Sequence, residues 1–177
     1  MTQHVVVMGV AGCGKSTVGA LLAADLRSGF LDADSLHPEA NVAKMTAGIP
    51  LDDTDRAPWL AAVAAAFVGG ESLVVACSAL KRAYRDLIRT GAPDVVFVHL
   101  VGTPALLAER IGARPGHFMP PALLDSQLAT LEPLEGDEAG VVLDIQLPLG
   151  RLVSLIRERL RLERPTPING DRNSHAL

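Results

Sequence analysis

The amino-acid sequence predicts an α/β fold of three layers, in which a five-stranded parallel sheet is flanked by helices on both faces. Three observations carry that expectation. Apolar, β-rich runs alternate with helical patterns along the chain. Most of the strand-like runs are nearly unbroken Val and Leu, as expected where both faces of a parallel sheet are covered. The first run also feeds a glycine-rich turn that opens into a helix, as in open, doubly wound sheets.

In chain order, residues 5–8 (Val-Val-Val-Met) form the first expected strand, and residues 16–26 the helix after the glycines. A second strand over 29–31 ends at the acids Asp32 and Asp34. The run Asp52-Asp53-Thr54-Asp55 suits the opening of a helix, which we expect over 57–68 with Pro58 early in it. A strand over 72–76 leads through Cys77 and Ser78 to a helix over 81–90. A strand over 95–101 precedes helices over 104–111 and 121–130. Pro104 and Pro121 suit first-turn positions, where the missing N–H is no loss. A fifth strand over 140–143 and a helix over 149–162 close the pattern. The first, third, fourth and fifth strands are those expected to be covered on both faces. We therefore expect a single domain over 1–164, with a mobile lid over about 112–121 and a disordered tail over 165–177.

Composition narrows the function. The chain has 177 residues, enough for a real core, and a formal net charge of −4. No basic surface advertises nucleic acid or an anionic membrane as a partner. The longest apolar stretch, 59–68, is too short to span a bilayer, and the amino terminus runs straight into a strand, leaving no room for a signal peptide. Two cysteines, Cys13 and Cys77, make no disulfide framework and suggest a reducing, cytoplasmic setting.

Gly9-Val10-Ala11-Gly12-Cys13-Gly14-Lys15-Ser16 fits the phosphate-loop pattern G-x-x-x-x-G-K-[ST] between a strand and a helix. Backbone N–H groups at such a helix start face an anion, and the helix dipole favours negative charge there. Three glycines let the chain curl round a polyphosphate. Lys15 then reaches the β- and γ-phosphates and the Ser16 hydroxyl sits on Mg²⁺. Residues Gly9 through Ser16, with Thr17, are the expected nucleotide contacts.

In an open α/β sheet the ligand lies beyond the carboxyl ends of the strands, so the polar residues there are the candidates. Phosphoryl transfer needs a metal on the β- and γ-oxygens, a group to take the acceptor's proton, and cations on the transferring phosphate. Asp32 is the candidate metal-side acid and Asp34 the candidate base. The bland alternative is a pair of loop caps. Asp144, ending the fifth strand, is either a loop cap or base-contacting residue, or a rival metal acid. Arg110 and Arg114 flank a glycine-rich break that reads as a lid carrying cations, against an ordinary basic helix end. Lys81, Arg82 and Arg85 crowd a helix start, where the dipole disfavours cations unless an anionic substrate faces them; at least one of the three is expected to be a solvated surface charge. Arg56 either binds a carboxylate or pairs with the neighbouring acids. Cys13 is either a small buried substitute for serine or a thiol with a lowered pKa.

Together with the phosphate loop, further segments carry a family resemblance: Leu31-Asp32-Ala33-Asp34-Ser35-Leu36-His37-Pro38, Asn41, Lys44-Met45, Gly48-Ile49-Pro50-Leu51, 53–60, Cys77-Ser78-Ala79-Leu80-Lys81-Arg82, Tyr84-Arg85-Asp86 and Gly116-His117-Phe118-Met119-Pro120. Over about residues 4–162 the chain resembles the phosphate-loop gluconokinases, relatives of shikimate and adenylate kinases. That resemblance implies a phosphate-loop kinase fold and ATP-dependent phosphorylation of D-gluconate at its 6-hydroxyl, with a homodimeric state. It implies Lys15, Asp34 and Arg114 as catalytic residues, and Arg110 against the adenine. Asp34, His37, Lys44, Arg56, Lys81 and Arg85 are the candidates for gluconate. Ala33 stands where the family usually has glycine, and Ala11 and Cys13 where it usually has serines, which bears on rate more than on identity. A kinase for another small acceptor such as shikimate, and a nucleotide-binding switch, are the alternatives. The Leu36-His37-Pro38 and Ser78-Ala79-Leu80-Lys81 segments and the lack of an N-K-x-D motif argue against them.

Overall fold

A computed structural model describes residues 2–113 and 121–162. Residue 114, most of the expected lid and the expected tail lie outside the described residues. The elements run β1 (His4–Met8), α1 (Lys15–Leu26), β2 (Gly29–Asp32), a 3₁₀ turn (Ala33–Leu36), α2 (Glu39–Thr46), α3 (Asp53–Ala66), β3 (Leu73–Ala76), α4 (Arg82–Arg89), β4 (Val96–Val101), α5 (Pro104–Gly112), α6 (Pro121–Thr130), β5 (Gly140–Asp144) and α7 (Leu149–Leu162).

The sheet is five-stranded, in the order β2-β3-β1-β4-β5, and every neighbouring pair is parallel. The chain runs from β1 out to β2 and back to β3 on one side, then crosses to β4 and β5 on the other, so the carboxyl ends of β1 and β3 flank the topological switch point where such sheets bind ligands. Val5, Val6, Val7 and Met8 are fully buried, which the central position of β1 requires. The fifth strand departs from expectation. It is a sheet edge, and Val142 is 53% exposed although Val141 and Leu143 on its other face pack inward.

Two helical pieces between β2 and β3 were not expected, the 3₁₀ turn and α2. The only buried residue of α2 is Asn41, so no apolar stripe marks the helix in the sequence. α3 begins at Asp53 rather than at 57, because Asp52 and Asp55 form a reciprocal capping box at its start. Pro58 then falls inside the helix.

Candidate active site

The glycine loop closes the gap between β1 and α1 in dihedrals that only glycine adopts readily: φ is 139° at Gly9, 81° at Gly12 and 92° at Gly14. Space demands glycine as well. A Cβ on Gly9 would sit 2.7 Å from the Leu100 carbonyl oxygen, and one on Gly12 would sit 2.8 Å from that of Leu107. The Gly9 N–H donates to the Ser78 carbonyl at 3.3 Å, tying the loop to the turn after β3. Lys15 folds back so that Nζ donates to the Val10 carbonyl at 3.2 Å. Thr17 is exposed in the first turn of α1. Cys13 is 1% exposed, as a small buried filler would be. Cys77 is also buried, and burial pushes its thiol up to about 12.

The two expected metal residues meet. Ser16 Oγ donates to Asp32 Oδ2 at 2.5 Å, while Asp32 Oδ1 accepts the Asp34 N–H at 3.1 Å and so caps the 3₁₀ turn. Asp34 projects from that turn with 77% of its side chain exposed. Buried Trp59 holds the turn from below: its Nε1–H donates to the Ala33 carbonyl at 2.7 Å. His37 stacks flat on the same indole, with centroids 4.2 Å apart and planes 14° apart, and its Nε2 lies 4.0 Å from Asp34 Oδ1. Burial lowers the His37 pKa; the Asp34 charge opposes this and Arg56 assists it. The balance favours the uncharged imidazole.

Most cations of the expected acceptor site already have acidic partners. Lys44 Nζ donates to both Asp55 oxygens at 2.7 Å, which raises its pKa. Lys81 Nζ donates to both Asp53 oxygens at 2.9 and 3.0 Å, which raises its pKa too, and the Tyr84 hydroxyl donates to the same carboxylate. Arg82, with 28% of its side chain exposed, pairs with Asp86, Glu135 and Asp137 and lies 4.0 Å from Glu138, so acids of this chain take up its charge. Arg56 differs. Its Nη1 donates to the Leu51 carbonyl and to Tyr84 Oη, and the guanidinium lies 5.6 Å over the Tyr84 ring. Among the described residues its Nε and Nη2 donors have no partner.

Arg85 must be withdrawn from the acceptor contacts. Its side chain is fully buried, and every donor is taken: Glu138 accepts from Nε and Nη2, and the carbonyls of Ala79, Leu80, Glu132 and Pro133 accept the rest. It supports Ala79, a non-glycine residue at φ 43°, in the turn that presents Lys81. Arg110 donates from Nη2 to the Ile145 carbonyl at 2.8 Å, so it lies against the loop after β5. Asp144 Oδ1 accepts the Gln146 N–H at 2.8 Å, which makes it a loop cap on the sheet edge. Arg114 lies outside the described residues.

One contact was not expected at all. The Ala11 N–H of the phosphate loop donates to Gln127 Oε1 on α6 at 2.7 Å. A signal was present. Leu123, Leu124, Gln127, Leu128 and Leu131 share one helix face, and a polar side chain within such an apolar stripe needs a partner.

Comparison with known proteins converges on one chemistry. A family model for shikimate kinase matches residues 11–132. The chain is 49% identical over 144 residues to the gluconokinase of Gluconobacter oxydans, covering 79% of this chain and 80% of the relative. It is 45% identical over 155 residues to the thermoresistant gluconokinase of Escherichia coli, covering 84% and 88%. The crystal structure of a gluconokinase from Sinorhizobium meliloti superimposes with a TM-score of 0.84 at 47% identity, over 91% of this chain and 93% of that one.

Proposed function

Because the chain belongs to the gluconokinases, within the wider family that the shikimate kinase model describes, we propose that it transfers the γ-phosphoryl group of ATP to the 6-hydroxyl of D-gluconate, giving 6-phospho-D-gluconate and ADP. The observation that carries the reading is a glycine-built anion cradle whose Ser16 is bonded to Asp32, two residues before the exposed carboxylate of Asp34.

The roles follow from what each group has to spare. The N–H groups of the loop would bind the phosphates and Lys15 would leave the Val10 carbonyl to neutralise the β- and γ-oxygens. A hydroxyl and one carboxylate suit a hard cation that keeps water and phosphate ligands; no cluster of three or more His, Cys, Asp or Glu able to hold a metal exists among the described residues. Ser16 and Asp32 would hold Mg²⁺, which would offset charge on the transferring phosphate. Asp34, held by its own backbone to Asp32, would orient the acceptor hydroxyl and take its proton. His37, neutral and fixed on Trp59, would hydrogen-bond a further hydroxyl. Arg56, with spare donors in a planar fork, would grip the carboxylate of gluconate. Lys44 and Lys81, already matched by Asp55 and Asp53, suit hydroxyls better. Arg110 would border the adenine and Arg114 would meet the γ-phosphate.

The reading is tested by coupling ADP release to a panel of aldonic acids and locating the new phosphate by NMR. Gluconate-dependent ADP release with phosphate on the 6-oxygen is expected. ADP release independent of any acceptor, or none at all with Mg²⁺ present, would sink it. The homodimer and the cytoplasmic setting belong to the same proposal. Two buried free cysteines are compatible with a reducing compartment, and sedimentation velocity tests the dimer.

A further inference from the structure

The peptide unit joining Val10 to Ala11 is held at both ends. Its N–H donates to Gln127 Oε1 at 2.7 Å, and its carbonyl accepts from Lys15 Nζ at 3.2 Å and from the Cys13 N–H at 3.4 Å. A trans peptide is planar and rigid, with N–H and C=O pointing opposite ways. Fixing the N–H therefore fixes where the carbonyl points. The group that determines the resting position of the Lys15 ammonium thus lies 116 residues away from Ala11 in sequence.

Gln127 is itself delivered by a helix anchored along its length. Leu123 and Leu124 are buried and Leu128 packs on the core. Just beyond α6 the chain is bolted to the turn after β3: the Glu132 N–H donates to the Leu80 carbonyl, the Arg82 N–H donates to the Glu132 carboxylate, and Arg85 donates to the carbonyls of Glu132 and Pro133. Buried Glu138 completes the bolt. Burial alone would raise its pKa, but Arg85, the Glu135 N–H and Arg89 outweigh that and hold it at about 2. The carboxamide oxygen thus reaches Ala11 from a frame that also carries Lys81.

We infer that Gln127 is a positioning residue for phosphoryl transfer: it orients the peptide between Val10 and Ala11, and through it the phosphate-binding curve of the loop and the carbonyl from which Lys15 starts. The inference rests on the kinase reading for its effect on turnover, but its structural half needs no substrate. Gln127→Leu suits the apolar stripe and keeps a good helix former, whereas Gln127→Glu keeps an acceptor oxygen on a stem of the same length. In the ligand-free protein, hydrogen exchange of the Ala11 amide should speed up about tenfold or more in Gln127→Leu and stay near wild type in Gln127→Glu, as expected if one hydrogen bond protects it. With ATP and gluconate, Gln127→Leu should lower kcat about tenfold, with the gluconate KM within about twofold and an unchanged melting temperature. Equal Ala11 exchange in all three proteins would overturn the inference, as would wild-type kcat in Gln127→Leu. A wild-type protein inactive on gluconate that still showed the exchange difference would refute the substrate and leave the positioning role of Gln127 on the loop intact.

Discussion

The side of the site that we propose for the nucleotide and the side that we propose for the acceptor are built differently. The first is one contiguous stretch, residues 9–17, whose shape follows from glycine dihedrals and whose amides, among the described residues, find a side-chain acceptor in Gln127. The second is assembled from the 3₁₀ turn, α2, α3 and the turn before α4, and its charges are neutralised in pairs: Lys44 with Asp55, Lys81 with Asp53 and Tyr84, Arg82 with three acids. A contiguous cradle offers a polyanion the N–H groups that its own hydrogen bonds leave over. A prepaired cluster would offer a polyol many weak partners, and among the described cations of that cluster Arg56 is left with spare donors that would suit a carboxylate. The difference implies that removing a cation on the nucleotide side should hit rate and removing one on the acceptor side affinity, whereas Asp34, the candidate base between them, should hit rate.

The largest expected effect tests that division. Lys15→Ala should lower kcat roughly a thousandfold, because a preorganised counter-charge at the transferring phosphate disappears. If Asp34 is the general base, Asp34→Asn should lower kcat about a hundredfold while ATP affinity, measured by titration calorimetry, changes little, since the cradle is untouched. Near-normal turnover in Asp34→Asn would remove it as the base, and a large loss of ATP affinity would erase the boundary between the two sides.

Next in size is Arg85→Met, which separates a binding cation from a structural one. Breaking a buried pair strands the other charge, so thermal or urea unfolding should show a loss of about 3 kcal/mol or more. In the folded fraction the gluconate KM should stay within about twofold. The pH dependence has a defined sign. Glu138 is depressed to about 2, so its contribution to stability is complete above the ordinary carboxylate range and is lost as pH falls from there toward 2. Arg85→Met should flatten that acid limb. A rise in KM with unchanged stability would instead return Arg85 to the substrate.

Arg56→Ala should raise the gluconate KM about tenfold or more, the effect of losing charge-assisted hydrogen bonds, with kcat less affected. Against a neutral polyol of the same length the variant and wild type should converge. If KM is unmoved, Arg56 serves only Leu51 and Tyr84, and the carboxylate is held elsewhere.

The same division explains what the sequence made legible. The loop, the parallel strands, and the helices over Pro104–Gly112, Pro121–Thr130 and Leu149–Leu162 follow from local letters: glycines, Val runs, and proline at helix starts. The chemistry of the acceptor side depends on who meets whom. Nothing near Arg85 distinguishes it from Lys81; what decides is Glu138, 53 residues later, and the burial they share. α2 escaped because its one inward residue is Asn41, which donates to the Asp55 carbonyl and lies 3.3 Å from His37 Nδ1 instead of filling an apolar core. Gln127 was readable in principle, as a polar break in a leucine stripe, but its partner was not.

The smallest expected effect decides between two readings of Asp144. Its Oδ1 accepts the Gln146 N–H, and asparagine presents the same oxygen on the same stem, so Asp144→Asn should preserve the loop. If the residue is only a cap, kcat with ATP and gluconate should change less than about twofold, since no charge near the transferring phosphate is altered. If its negative charge supported the metal, the same substitution would remove that charge without disturbing the backbone, and kcat would fall about a hundredfold. Contact rather than strand order favours the first outcome. β2 and β5 each lie one strand away from β1, but it is Asp32, at the end of β2, that is hydrogen-bonded to Ser16, while Asp144 holds Gln146. One metal site cannot draw on both strand ends without spanning the sheet, so a large effect at Asp144 would require Asp32 to give up its role and become the loop cap.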